Sequence, residues 1–408
     1  MSPPVLVYDF NPNGHCPGWL HLTAAGFRAT GTPTAVACAT GDPRVAPWAD
    51  ALQRAGCTVL PIPPQLDNHA AHASALASDL GTQRIFLPNF DSMLYEMGKL
   101  GLQGAFHRLD VGGIWLRPDL EGETPGWWQR LRMKVVRSRA HKLARRHLRA
   151  IANNRRGLAG LTDSSKSAAR LRLFFTSPDA IRETTPYLPA GAALPLCDPW
   201  LHRASESRAA ARATLGIPAE TIVLLHTGTS RPEKGLADTC KALLQLPDAL
   251  LARLCLLRAG QVDPLDAASL AQLHSRCKPK VIDRFLDEAE LARCYAAADW
   301  VLLPYRDQKE SSGVLVHAAA NHRPVVASDF GRIGHAVRTH DLGRLFRHRD
   351  VGGLARVLAD LAEKPVSPGT AGMEAFAALN SPQTFQQTLV DGWLKMPADP
   401  PAPCAARQ

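Results

Sequence analysis

Three blocks between His226 and Phe346 constrain the fold of this chain more than any other stretch: HTGTSRPEKG, RFLDEAELARCYAAADWVLLPY and ESSGVLVHAAANHRPVVASDFGRIG. Each joins an apolar run of strand length to a turn of glycines, small polar residues or charges, at spacings that suit alternating strands and helices. Such an order builds a parallel α/β sheet with helices on its faces, and ligands bind such sheets at the carboxyl ends of the strands. Thr221 to His226 reads as a buried strand, Gly228 as the permissive residue of the turn after it, and Lys234 as the opening of the next helix.

The charges in these loops suggest the chemistry. A flexible ammonium at Lys234 reaches a phosphate as a point charge, and Arg231 adds a planar, bidentate grip, so both favour a diphosphate leaving group. After the run WVLLPY, Ser311 or Ser312 reads as the N-cap of a helix that starts at Gly313, where backbone comes close to a ligand. Exposed N–H groups and the helix dipole favour an anion there by roughly 0.3–1 kcal/mol. Glu310, just before them, would repel a diphosphate, so its carboxylate is expected at sugar hydroxyls. Taken singly, Lys234 is an ordinary helix-end lysine and Glu310 a solvated loop glutamate; the ordered combination gives them a ligand role. His317, Tyr305 and Ser328 read as packing or helix-surface residues, and His226 as a satisfied interior histidine.

In order and together, the blocks resemble the carboxyl-terminal domain of the retaining nucleotide-sugar glycosyltransferases of family 4, the glycosyl transferases group 1, which have the two-domain GT-B architecture. Gly228, Arg231, Lys234 and Gly235 match the family's glycine turn with its basic residue and Lys-Gly; Phe285, Leu291, Tyr295, Ala298 and Asp299 match its second run. Pro304, Glu310, Gly313 and the segment Arg323 to Ser328 match the third. The resemblance implies two Rossmann-like domains with an interdomain cleft, donor binding by Gly228, Thr229, Ser311, Ser312, Gly313 and Val314, and a catalytic role for Lys234, Arg231 and Glu310. It also implies front-face displacement, in which the departing phosphate takes the acceptor proton. Two departures stand out. The family's Glu-x7-Glu pair lacks its second member, because Ala318 stands there, which puts the ribose contact in question. Thr229 occupies the position of the family's basic residue, leaving Arg231 as the substitute.

The amino-terminal half alternates in the same way: VLVYDF, a helix from about Trp19, TAVACA, a helix around Pro47 to Ala55, CTVLPI, a helix through Ala70 to Leu80, and RIFLPN. Its first loop, Asn11 to Gly18, lies between strand and helix, and relatives use this loop near donor phosphate and acceptor, which makes Gly14 and His15 candidates; a plain surface turn is the alternative. Asn89 and Asp91 follow the fourth strand. A further strand, VGGIWLRP, ends at Arg117, and Arg117 and His107 are cleft candidates on the acceptor side. Prolines between Pro195 and Ser207 mark the linker. The expected division is 1–200 with a crossover helix at 382–396, then 201–381 as the nucleotide-sugar domain, and a disordered tail at 397–408.

Length and composition agree, since 408 residues exceed one ordinary core and a hydrophobic fraction of 46% suits a globular protein. The net charge of +10 concentrates in 130–156, a stretch free of acidic residues whose apolar positions recur at helical spacing. Such a helix packs on its own domain or lies on anionic lipid, where each basic residue adds about 1 kcal/mol. Nucleic acid is not expected, because aromatics do not interleave with the basic residues. Nine cysteines without a Cys-x-x-Cys pair read as buried free thiols in the cytoplasm, with no metal and no cofactor. The expected function is transfer of a sugar from a nucleotide-sugar donor to a glycan, lipid-linked or small-molecule acceptor. A sugar-nucleotide epimerase or phosphorylase on the same fold, or a non-catalytic binding subunit, are the alternatives.

Overall fold

The computed structural model of the protein describes residues 3–100, 106, 109–116, 154–159, 171–306, 312–364 and 369–395. The chain divides into two units, Met1–Leu196 with Phe385–Gln408, and Cys197–Thr384. The basic segment, apart from 154–156, and the tail beyond 395 lie outside the described residues.

The described residues of the first unit form seven strands: β1 (Val5–Asp9), β2 (Thr34–Cys38), β3 (Thr58–Pro61), β4 (Arg84–Leu87), β5 (Asp110–Ile114), β6 (Leu171–Phe175) and β7 (Ala193–Pro195). They lie in the order β3-β2-β1-β4-β5-β6-β7, and their pairings are parallel. β1 and β2 are buried along their whole length, as strands covered by helices on both faces must be, and their sequences VLVYD and TAVAC are accordingly almost uninterrupted apolar runs.

The chain's last described segment completes this unit. Trp393 is buried against Phe27 and Phe86, with ring centroids 5.4 and 5.2 Å away. Its indole N–H donates to Asp110 at 3.0 Å. Arg84 lies over the indole at 4.5 Å and donates to the carbonyls of Trp393 and Leu394 at 2.8 and 2.9 Å. Gly112 makes room, since a β-carbon there would come within 2.5 Å of Phe86 and 2.9 Å of Trp393.

The second unit holds β8 (Ile222–Thr227), β9 (Leu254–Ala259), β10 (Lys280–Ile282), β11 (Trp300–Leu303), β12 (Val325–Ser328) and β13 (Gly343–Phe346), ordered β10-β9-β8-β11-β12-β13 and again parallel. The order matters for function. From β8 the chain adds β9 and β10 on one side, then returns to place β11, β12 and β13 on the other, so the topological switch lies between β8 and β11. Helices flanking a switch diverge to opposite faces and leave a crevice at the strand carboxyl ends, which is where open sheets bind ligands. In the first unit the same switch lies between β1 and β4.

Candidate functional site

β8 delivers the first group of candidate residues. All six of its residues are buried, and the chain then turns at Gly228, whose φ of 94° lies in the region that disfavours side chains. A β-carbon on Gly228 would meet no atom within 4 Å, so the backbone there is open to a ligand. Within the turn, the Gly228 N–H donates to Ala259 O at 3.0 Å and the Ser230 N–H to Gln261 O at 2.8 Å. Among the described residues the Thr229 N–H has no acceptor, which leaves it as the turn's available donor.

Lys234 is held by its backbone from both sides of the switch. It ends a short 3₁₀ turn, Pro232–Lys234, and the α-helix begins only at Leu236, so Lys234 precedes the helix rather than opening it. Its carbonyl accepts from His226 Nε2 at 3.2 Å, and the neighbouring Glu233 carbonyl accepts the Arg306 N–H at 2.8 Å. Gly235, at φ 71°, passes so close to β11 that a β-carbon would stand 2.0 Å from Pro304 O. The Lys234 ammonium rests 3.9 Å from the ring centroid of Tyr305, the second residue after β11, a cation–π contact worth ~0.5–1 kcal/mol at a half-exposed site. Arg306 itself is fixed by paired bonds of 2.6 and 2.7 Å to Asp238.

His226 belongs to this scaffold as an interior residue. Burial first, then the nearby Arg258 charge, lower its pKa to about 3, so it stays neutral and its Nε2–H donates to Lys234 O. Arg231 is exposed and lies 3.4 Å from Glu233, a pairing of small energetic value that a phosphate can replace.

The second group sits at the start of the helix Gly313–Ala320, which follows β11. Ser312 takes the N-cap position, yet its buried hydroxyl makes no capping bond and has no partner among the described residues. Its carbonyl accepts from Leu315 and Val316 at 2.9 and 3.2 Å. The N–H groups of Gly313 and Val314 have no acceptor among the described residues, as expected for a helix start open to an anion. His317 braces this turn: its Nδ1–H donates to Gly313 O at 2.7 Å, and its Nε2 accepts the Leu201 N–H at 3.0 Å. Ala318, at the place of the missing second carboxylate, is fully buried in the core of this unit. Glu310 and Ser311 lie outside the described residues.

In the first unit, Gly14 has φ 60° with open space around it, and the exposed His15 lies 4.4 Å, ring to ring, from Trp19. His107 and Arg117 lie outside the described residues. At the switch between β1 and β4, Asp9 is 3% exposed and accepts the Asn11 N–H at 2.9 Å. Burial raises its carboxyl from 3.8 to about 7, against the opposing pull of Asn11 and Asn89. The unfolded chain ionises this group near pH 4 and the folded chain only near 7, so its contribution to stability is full below pH 4 and is lost as pH rises through 7. Asp9→Asn should therefore gain melting temperature relative to the parent protein between pH 4 and 8. A difference that stays constant across that range would contradict the assignment.

Two features escaped the sequence reading. Arg258 is wholly buried at the end of β9; a lone arginine in the apolar run LCLLRA was the available signal, since buried charges are rare without a purpose. Asp299, known only as a matching letter, anchors β8 by accepting the Val223 N–H at 2.7 Å and pairing with Arg212. Among the described residues, no group of His, Cys, Asp or Glu could hold a metal ion, no helix is long and apolar enough to cross a membrane, and the cysteines are free.

Residues 221–364 match the family model described as glycosyl transferases group 1. Among curated proteins, the D-inositol 3-phosphate glycosyltransferase of Saccharomonospora viridis is 34% identical over 205 residues, covering 48% of this chain and 45% of that protein. The protein of the same name from Streptomyces scabiei is 31% identical over 189 residues, 44% and 42% of the two chains. The chain thus spans under half the length of these relatives. Among solved structures, HepE of Anabaena in complex with UDP-glucose superposes with a TM-score of 0.67 at 15% identity, over 96% of this chain and 100% of that one. WaaG, a glycosyltransferase involved in lipopolysaccharide biosynthesis, gives 0.66 at 17% identity over 96% and 100%. The UDP-GlcNAc 2-epimerase of Neisseria meningitidis gives 0.55 at 11% over 96% and 99%. These likenesses establish the fold, two Rossmann-like α/β units of the GT-B type.

Proposed function

We infer that this chain, whose residues 221–364 match the glycosyl transferases group 1 and whose two units have the GT-B fold, transfers a sugar from a nucleoside-diphosphate donor with retention of anomeric configuration. The observation that carries this reading is the set of unused donors at one switch point. The N–H groups of Thr229, Gly313 and Val314 follow the neighbouring strands β8 and β11, and Lys234 is held between the same two strands.

In this reading the diphosphate lies against those N–H groups, and Lys234 leaves Tyr305 to neutralise the charge that builds on the leaving phosphate. Arg231 exchanges Glu233 for phosphate. Preorganised donors of this kind stabilise a developing charge without reorganisation and often dominate catalysis. Because the ammonium and the amides supply the positive charge, no metal is needed. The departing phosphate oxygen takes the acceptor proton, and Glu310 contacts donor-sugar hydroxyls. The acceptor, a glycan, lipid-linked or small-molecule alcohol, meets the first unit near Gly14 and His15, and the reaction takes place in the cytoplasm. With Ala318 buried and no carboxylate at that position, the ribose must be held by other groups.

Binding tests this directly. UDP, GDP, ADP or TDP, whichever is the cognate leaving group, should raise the melting temperature by on the order of 5 °C at ~100 times its dissociation constant. Four flat responses would remove the donor site. The same fold carries an epimerase, which would convert donor with no acceptor present.

A further inference from the structure

We infer that Arg258 is a positioning residue for the donor diphosphate: it ties the turns after β8 and β9 together so that their carbonyls face inward and the Thr229 N–H is left for phosphate. This rests on the reading of that turn as the diphosphate site.

Arg258 reaches four backbone carbonyls, two at the ends of β8 and β9 and two on the turns that follow them. One guanidinium nitrogen donates to His226 O at 3.1 Å and Ala259 O at 2.6 Å, the other to Gly228 O at 2.6 Å and Gln261 O at 2.8 Å. The strands beneath are in register, His226 beside Arg258 and Thr227 beside Ala259. Above them the turns touch, since a β-carbon on Gly260, at φ 120°, would lie 2.5 Å from Gly228 O. Ser230 is tied as well, its N–H to Gln261 O and its hydroxyl to Asp266.

Every carbonyl that Arg258 holds is one that cannot turn toward an incoming anion. A carbonyl rotated outward at Gly228 would face phosphate with negative charge and withdraw the neighbouring N–H, so the orientation of this turn decides whether the site attracts or repels a diphosphate. Only a planar guanidinium can serve four acceptors spread over two strand ends and the turns after them, and an ammonium with three donors cannot. The charge stays on at neutral pH, because burial lowers its pKa only to about 10, with Asp266 and Asp283 opposing that fall.

The test compares nucleosides with their diphosphates by calorimetry in the full-length protein and in Arg258→Lys. The expected result is at least a tenfold loss of affinity for the cognate diphosphate with less than a twofold change for its nucleoside, and a corresponding rise in donor KM. Unchanged diphosphate affinity, or equal loss for both ligands, would overturn the inference while leaving the donor site in place. If the parent protein binds no nucleoside diphosphate, both readings fall together. Hydrogen exchange on the parent protein covers the case of a variant that does not fold: the diphosphate should protect 226–231 and 258–262 together, and protection of the first segment alone would count against the tie.

Discussion

Replacing Lys234 by alanine should lower donor turnover by about 10²–10³-fold, the cost of removing one preorganised donor from a developing anion, while leaving the melting temperature nearly unchanged. The asymmetry follows from how Lys234 is held. Its fixed position comes from its backbone, through His226 on its carbonyl, Arg306 on the carbonyl before it and Gly235 against Pro304. None of these contacts uses the side chain. The ammonium's contact with Tyr305 contributes under about 1 kcal/mol. Lys234→Arg keeps the charge and should restore part of the rate. Steady-state kinetics of nucleoside diphosphate release, run beside thermal unfolding, separates the outcomes: a variant within threefold of the parent rate would show that Lys234 does not meet the leaving group.

Gly235→Ala should have the opposite profile, with stability and activity lost together. A methyl group there would stand 2.0 Å from Pro304 O, and the backbone φ of 71° already disfavours a side chain by ~1–2 kcal/mol. Overpacking adds ~1–3 kcal/mol, so the loss should be on the order of 2–5 kcal/mol. The Lys234 turn and the end of β11 have to part before the methyl fits. Denaturant unfolding reads the first effect and turnover the second. A Gly235→Ala variant as stable as the parent would mean that the two strands do not clamp the turn.

The core of this site was legible because its residues obey strong local rules. β8, β11 and β12 are central strands covered on both faces, so they read as unbroken apolar runs, and the turn after β8 needs a glycine at positive φ. The short strands β10 and β13 are only partly buried, and Lys280 and Arg344 interrupt them, which hides them from an apolar-run criterion. Arg258 was missed for a different reason. Its partners are four carbonyls on two strand ends and the turns after them, and carbonyls leave no mark in a sequence. The capping expectation at Ser312 shows the limit of local rules, since the serine holds the N-cap position while its hydroxyl makes no capping bond among the described residues. Those groups stay open, as an anion site requires.

The measurement that bears most directly on the central claim is turnover of a panel of UDP-, GDP-, ADP- and TDP-sugars by the parent protein, followed as nucleoside diphosphate release with and without alcohol acceptors. The account predicts slow hydrolysis of one donor, faster release when a suitable acceptor is added, and loss of both in Lys234→Ala. Release from no donor, or release that Lys234→Ala leaves intact, would contradict it.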